Sequence, residues 1–243
     1  MTDARSLPVP RQLLLAAPGY ALLLLLAVVA FWPGYVAVPK STLGGWVHFH
    51  AATATLWMLL LIAQPLAIRN AHFELHRRLG RLSPALALLV VIGFVGLTHS
   101  QLQGKTGMEF AIDAYFGYVR FVIVGLFVAT YGLGWRNRRD PPVHARYMIC
   151  TGLSVIDPIF HRIAARVMDF TDHNYQILTF GIVYALLLAL MVTERKATTG
   201  SYVFPAVLAA YVVGGLPLLL DFYEWGPVWT AWKAAVAWFA QLP

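Results

Sequence analysis

The sequence contains few charged residues. Asp, Glu, Lys and Arg together make up 12% of the 243 residues, whereas soluble globular domains carry about 25%. Hydrophobic residues account for 59% of the chain, and its mean hydropathy is +0.66. This composition excludes an ordinary soluble domain and indicates a membrane protein.

Cysteine is scarce and the common catalytic motifs are missing. The single cysteine, Cys150, excludes an intrachain disulfide. The sequence has no P-loop, no dinucleotide-binding glycine pattern, no nucleophile elbow and no paired-cysteine zinc motif. The net charge is +7, but no soluble basic segment carries it, so a nucleic-acid partner is not expected.

Long uncharged runs dominate what is present. No Asp, Glu, Lys or Arg occurs between Arg11 and Lys40, between Lys40 and Arg69, or between Arg81 and Lys105. Each run exceeds the roughly 18–20 apolar residues that cross the hydrocarbon core as a helix. We therefore predict an all-α fold, a single polytopic membrane helix bundle with seven transmembrane helices. The predicted spans are 13–38, 46–68, 83–104, 112–134, 144–166, 173–193 and 201–220.

The two ends of the chain carry their own signals. Arg5 and Arg11 precede an apolar run that has no small-residue cleavage site, which predicts an uncleaved signal anchor. Residues 226–243 place three tryptophans around Lys233, a pattern typical of an interfacial helix. An eighth span is the alternative for this segment.

The distribution of basic residues predicts the orientation. Most of the 18 Lys and Arg residues lie in loops that share a side with the N-terminus, above all in 69–82 and 135–146. The positive-inside rule then predicts a cytoplasmic N-terminus in the bacterial inner membrane. The ordinary interpretation of Arg77, Arg81 and Arg146 is this rule together with contacts to anionic lipids at the cytoplasmic face.

The fifth predicted span carries polar residues that a membrane helix rarely tolerates. At 100° per residue, five side chains fall on one face within about 80°. They are Tyr147, Cys150, Ser154, Asp157 and His161. Ionisable groups inside a membrane usually face the bundle interior and mark function, although a structural polar seam between helices is the alternative. Pro158 removes a helix hydrogen bond and predicts a local break.

Other spans also place polar residues together. His50, Trp57 and Gln64 are seven residues apart and lie on one face of the second helix. Asp113 and Arg120 have the same spacing and could pair. In the predicted orientation, His76 and His144 form an inner layer of imidazoles. A separate outer layer contains His50, His99, Asp157 and His161.

These layers suggest a redox or metal function. Imidazole is the commonest metal ligand and also holds haem iron. His76 and His144 could bind a haem cofactor, and the outer layer could bind a divalent metal such as zinc or iron. The leading hypothesis is a histidine-ligated haem or metal redox protein, with a redox or membrane-protein partner.

Two further functions stay open. One is a non-catalytic carrier, proton-coupled transporter or assembly factor that uses Asp157 and His161. The other is a metal-dependent membrane lipid hydrolase, which requires zinc at the outer histidines.

Three groups of residues carry a family resemblance. They are His50, Trp57 and Gln64; His76-Arg77-x-x-Gly80-Arg81; and His144-x-Arg146-x-Met148. Together they cover about residues 46–166 and resemble a family of polytopic bacterial membrane proteins that is classed as a domain of unknown function. The resemblance implies a multi-helix inner-membrane protein and supplies no activity.

Overall fold

The computed structural model describes residues 11–168 and 172–242, so Arg5 of the predicted signal anchor lies outside them. Within these residues there is no β-strand, which confirms the all-α helix bundle. The helices are α1 Arg11–Phe31, α2 Gly45–Arg69, α3 Phe73–Leu102, α4 Gly107–Arg136, α5 Pro141–Thr151, α6 Ile156–Val167, α7 Asp172–Thr193, α8 Val203–Leu219 and α9 Gly226–Ala240.

Six helical segments are long and apolar enough to cross a membrane, as expected for a multi-pass membrane protein. They are Leu15–Val36, Gly45–Arg69, Phe73–Leu102, Gly107–Arg136, Pro141–Val167 and Asn174–Thr193. Helix α8 has 17 residues and is a shorter apolar helix. Mid-helix residues such as Leu25, Leu88 and Val213 expose 60–71% of their surface. Such apolar exposure fits contact with lipid.

Consecutive helices pack side by side. Helix α2 packs on α1 and α3, α4 packs on α5, and α7 packs on α6 and α8. Short connections leave Arg69, Arg77 and Arg136 at one end of the bundle, which we call the arginine-rich end. The other end, where α3 and α8 finish, is the opposite end. Helix α3 begins at Phe73 rather than at the predicted residue 83, because the charged segment before the apolar run is also helical.

The predicted break near Pro158 is present. A 3₁₀ turn, Gly152–Val155, separates α5 from α6. The Tyr20 ring lies against this turn, and a Cβ on Gly152 would come within 2.2 Å of Tyr20 Cε1. The Tyr20 hydroxyl donates a hydrogen bond to the Ile149 carbonyl at 2.6 Å. Only glycine lets α1 approach so closely, and this contact fixes α1 against the fifth span.

Arg166 on α6 forms hydrogen bonds to the end of α1. Pro33 has no N–H, so the carbonyl of Val29 lacks its helical donor, and α1 continues into a π-helical turn, Trp32–Val36. The Arg166 guanidinium donates to the carbonyls of Val29 and Ala30. This contact gives the Val29 carbonyl a donor in place of the one that Pro33 lacks, and it gives the Ala30 carbonyl a further donor.

Helix α9 packs across the ends of α3 and α4. Trp232 Nε1 donates to the Ala114 carbonyl at 2.8 Å. Val236 packs with Leu102 and Ala114 in a small apolar cluster. Beyond the end of α9, the Leu242 carbonyl lies 3.1 Å from His99 Nε2. Both ends of α9 therefore lie at the opposite end of the bundle.

Candidate functional site

Ionisable side chains from three helices converge in the half of the bundle nearer the opposite end. We call this group the carboxylate cluster. It comprises His50 on α2, Arg120 on α4, and Asp157, His161 and Arg162 on α6. Thr179 on α7 completes it through a hydrogen bond to Asp157.

Asp157 is the only acid in the cluster. The Thr179 hydroxyl donates to Asp157 Oδ1 at 2.6 Å, and Thr179 is fully buried. Arg120, His161 and Arg162 lie within electrostatic range of the carboxyl group. None of the ion pairs in the described part of the chain includes Asp157. The carboxyl group is thus surrounded by cationic and titratable groups but is not held by any of them.

Arg120 does not form the ion pair that the sequence predicts. Asp113 pairs with Lys105 instead. Both of these residues lie near the opposite end, whereas Arg120 is seven residues further along α4, about 10 Å deeper. Arg120 Nη1 is buried and has no hydrogen-bond partner. The prediction was wrong because Lys105, in the loop before α4, reaches Asp113 first.

The two histidines of the cluster pack against aromatic rings. His50 meets Phe94 edge to face, with 5.1 Å between ring centroids, and its Nδ1 is buried without a partner. His161 lies between Phe116 and Tyr175, at 5.5 and 5.0 Å. These contacts restrict ring rotation, so both imidazoles hold a defined orientation toward the bundle interior.

Arg162 lies at the rim of the cluster. Its Nη1 donates to the Pro158 carbonyl at 2.9 Å, and its guanidinium lies over the Phe31 ring at 4.3 Å. The side chain is exposed at the bundle surface. Its charge still reaches His50 and Arg120 electrostatically.

The structure does not bring the four predicted metal ligands together. The His99 ring packs on Phe239, and its Nε2 contacts the Leu242 carbonyl. The contacts of His50, Asp157 and His161 lie elsewhere, on α3, α4 and α7. Across the described ranges, no group of three or more His, Cys, Asp or Glu residues is placed to hold a metal ion.

A second polar region lies nearer the arginine-rich end. Trp57 is 2% exposed and meets Phe127 and Tyr131 edge to face. The Tyr131 hydroxyl lies 3.0 Å from Ser83 Oγ. One turn beyond this contact, the Gln64 amide lies beside Gly80. Trp57 Nε1 and Gln64 Oε1 are buried without hydrogen-bond partners. This region therefore contains one donor and one acceptor that make no hydrogen bond.

His76 and His144 both lie at this end. His144 Nδ1 lies 2.8 Å from the Gly134 carbonyl, which is near the end of α4. A carbonyl only accepts, so Nδ1 carries a proton, and in the neutral imidazole Nε2 has the lone pair. His76 lies within electrostatic range of His144, and its Nδ1 is buried without a partner. We call these two residues the histidine pair.

The remaining predicted residues, apart from Arg81, have structural contacts. Arg77 is exposed and pairs with Glu74 at 3.3 Å, and Arg81 is exposed. Arg146 is buried and pairs with Glu194. Tyr147 is buried in the apolar core.

The predicted stripe of the fifth span is split by the 3₁₀ turn. Tyr147 and Cys150 lie in the apolar core, and the Ser154 hydroxyl bonds locally to the Thr151 carbonyl. Asp157 and His161 alone belong to the carboxylate cluster. A 3₁₀ segment has three residues per turn, so four such residues rotate the following face by about 80° relative to an α-helix.

Sequence reasoning missed three residues that shape these regions: Thr179, Tyr131 and Glu194. Thr179 and Tyr131 lie in uncharged stretches of α7 and α4, where a single hydroxyl gives no signal of what it faces. Glu194 did carry a signal, because it is an acid directly before Arg195 and Lys196 at the arginine-rich end.

The chain was compared with protein-family models, with curated proteins and with solved structures, and none of them matches it. The family resemblance noted in the sequence therefore stays a prediction. The functional argument depends on the geometry of the two polar regions.

Proposed function

We propose that the protein is a non-catalytic, proton-exchanging carrier of a small polar solute across the membrane. Asp157 is the group that takes up and releases the proton, and His161 is its neighbour on the next turn. The observation that carries this proposal is a carboxyl group inside a membrane bundle that is hydrogen-bonded to Thr179 and forms no ion pair with any described residue.

The surroundings of Asp157 support this role. A purely structural acid inside a bundle would be expected in an ion pair, because an unpaired buried charge is costly. Here Arg120 and Arg162 lie in electrostatic range without direct contact. A carboxyl group in such a setting changes charge when it binds a proton, and a charged solute beside it shifts that equilibrium.

The proposal predicts that Asp157→Asn abolishes proton coupling. Purified protein is reconstituted into vesicles of phosphatidylethanolamine and phosphatidylglycerol that enclose the pH-sensitive dye pyranine. Glycine, glucose, acetate and inorganic phosphate are then added outside, one at a time. We expect at least one of them to change the internal pH in wild-type vesicles beyond its effect on protein-free vesicles, and this excess to disappear in Asp157→Asn.

Ser154→Ala is the matched control, because Ser154 lies on the same predicted stripe but bonds only to Thr151. It should behave as wild type. The proposal fails if wild-type and Asp157→Asn vesicles give the same trace with every compound. It also fails if Ser154→Ala loses the signal as completely as Asp157→Asn does.

A second candidate function is one-electron transfer by a haem held at the histidine pair. The observation in its favour is the hydrogen bond from His144 Nδ1–H to the Gly134 carbonyl, which leaves Nε2 free as a ligand. Such a bond orients many metal-ligating histidines. His76 would be the second ligand, and Trp57 and Gln64 lie on the neighbouring helix. A bound haem supplies reversible electron transfer, with a redox partner.

An absorption spectrum of the purified protein tests the haem candidate. Protein from haem-sufficient cells should show a Soret band that shifts on reduction, and His144→Ala should lose it. His72→Ala should keep the band, because His72 is exposed on the neighbouring connection. A colourless sample, or a band that survives in His76→Ala and His144→Ala alike, would exclude this candidate.

The lipid hydrolase receives no support from the geometry, because His99 packs away from the other outer histidines. For location, we propose the bacterial inner membrane with the arginine-rich end in the cytoplasm. The basis is the density of Arg residues at that end, which would contact anionic lipid phosphates.

A further inference from the structure

The carboxylate cluster contains more positive than negative charge. Arg120 and Arg162 both belong to it, and neither takes part in any ion pair among the described residues. Asp113 also acts electrostatically on Arg120, but its carboxylate is paired with Lys105. Among the described residues, Arg120, Arg162 and Lys105 therefore bring three positive charges near two carboxylates, those of Asp113 and Asp157. His50 and His161 cannot add negative charge.

Arg120 is half-buried and lies well inside the bundle. Leu102, Ala114 and Val236 pack together at the opposite end. Arg120 follows Ala114 by six residues, so it lies about 9 Å deeper along α4. Its Nη1 is buried and donates no hydrogen bond. An arginine at such depth is expensive unless its donors meet acceptors.

The missing partner must be an acceptor. A guanidinium carries only donors, in a planar fork that matches the two oxygens of a carboxylate or a phosphate. His50 adds a second unused position, because its Nδ1 is buried without a partner and it lies within electrostatic range of Arg120 and Arg162. The two groups come from different helices, α2 and α4, so a ligand between them would bridge the bundle.

We propose that Arg120 and His50 bind an oxyanion, a carboxylate or a phosphate group, with Arg162 adding positive charge from the rim. This inference rests on the proposed carrier function and names its substrate class. The oxyanion supplies the negative charge that the cluster lacks, and Asp157 exchanges the proton that accompanies it. The oxyanion belongs either to a free solute or to a lipid headgroup.

Ligand-dependent stability tests the site. The unfolding temperature of the full-length protein in detergent is measured against increasing acetate and inorganic phosphate, with potassium chloride at matched ionic strength. Binding to the folded state raises this temperature. We expect one oxyanion to stabilise wild type beyond chloride. In Arg120→Gln the half-maximal concentration should rise about ten- to a hundredfold, because a charge-assisted hydrogen bond is lost.

Two further variants and one measurement with lipids, the lipid arm, complete the design. Arg81→Gln is the matched control, since Arg81 is an exposed arginine at the other end, and it should respond as wild type. Arg120→Lys keeps the charge without the fork and should bind with intermediate strength, which separates lost binding from lost folding. In the lipid arm, phosphatidylglycerol replaces the soluble oxyanions, and phosphatidylcholine is its control.

Each outcome decides the inference. Stabilisation by acetate or phosphate that depends on Arg120 supports a free solute, and stabilisation by phosphatidylglycerol alone that depends on Arg120 supports a lipid headgroup. The inference is overturned if no oxyanion stabilises wild type beyond its control, or if Arg120→Gln responds as wild type does. Asp157→Asn separates the two proposals. If it keeps wild-type proton coupling while Arg120→Gln loses oxyanion binding, the carrier mechanism fails and the binding site stands.

Discussion

Replacing Arg146 by leucine is expected to lower the free energy of unfolding by about 3–5 kcal/mol. Arg146 and Glu194 are each 7% exposed and form an ion pair between α5 and the end of α7. Arg146 also donates to the Pro142 carbonyl, whereas Glu194 Oε1 has no partner. Without Arg146, Glu194 would be a buried charge with nothing to compensate it. Detergent-induced unfolding followed by circular dichroism measures the loss.

A double variant distinguishes the pair from simple packing. In Arg146→Leu/Glu194→Leu neither charge remains buried, so much of the lost stability should return. Arg77→Leu is the matched control, because Arg77 forms an exposed pair with Glu74 and should cost less than about 1 kcal/mol. If the double variant is no more stable than Arg146→Leu, the destabilisation has another cause.

The ion pair also explains how the connection between α7 and α8 is held. Gly200 has φ +72°, and a Cβ there would come within 2.8 Å of Arg146 Nη1. The turn therefore lies directly on the guanidinium. We interpret Arg146 as a residue that holds this turn in place against α5. Any contact with lipid at the arginine-rich end is additional to this role.

The helices of this bundle could be predicted because their physical cause is local. A helix that crosses a membrane needs a long apolar run, and that run is visible in the sequence. The predicted helix boundaries were less accurate where the helix extends beyond the apolar run. Helix α3 begins at Phe73, among Glu and Arg residues that form a helix about as readily as the leucines after them.

Convergence of side chains could be predicted only in part, because it depends on rotation and packing between distant segments. The heptad spacing correctly placed Trp57 and Gln64 in the same polar region, since α2 is a regular α-helix. It failed for Tyr147, because the 3₁₀ turn rotates α6 relative to α5. It also failed for Asp113, whose partner Lys105 lies before the helix rather than on it.

The same limit applies to the metal hypothesis. Residue types and predicted depth suggested that four residues lie in one layer of the membrane: His50, His99, Asp157 and His161. A hydropathy pattern can predict the depth of a residue in this way. The direction in which a side chain points at that depth depends on its neighbours. The His99 ring, for example, packs on Phe239 of α9. No sequence pattern on α3 indicates that contact.

Labelling of single-cysteine variants is expected to give an all-or-none result for the orientation. In a Cys150→Ser background, Asn137→Cys lies at the arginine-rich end and Gln103→Cys at the opposite end. A membrane-impermeant thiol reagent should label Gln103→Cys in intact cells. It should label Asn137→Cys only after the membrane is permeabilised, because positively charged loops stay in the cytoplasm.

Gln241→Cys extends the test to α9. Because Leu242 contacts His99 and Val236 packs on Leu102, the end of α9 lies beside Gln103. Gln241→Cys should therefore label together with Gln103→Cys. Labelling of Asn137→Cys from outside would invert the bundle and open the carboxylate cluster toward the cytoplasm. Labelling of Gln241→Cys together with Asn137→Cys would mean that α9 crosses the membrane, and that its contacts with α3 and α4 do not form in cells.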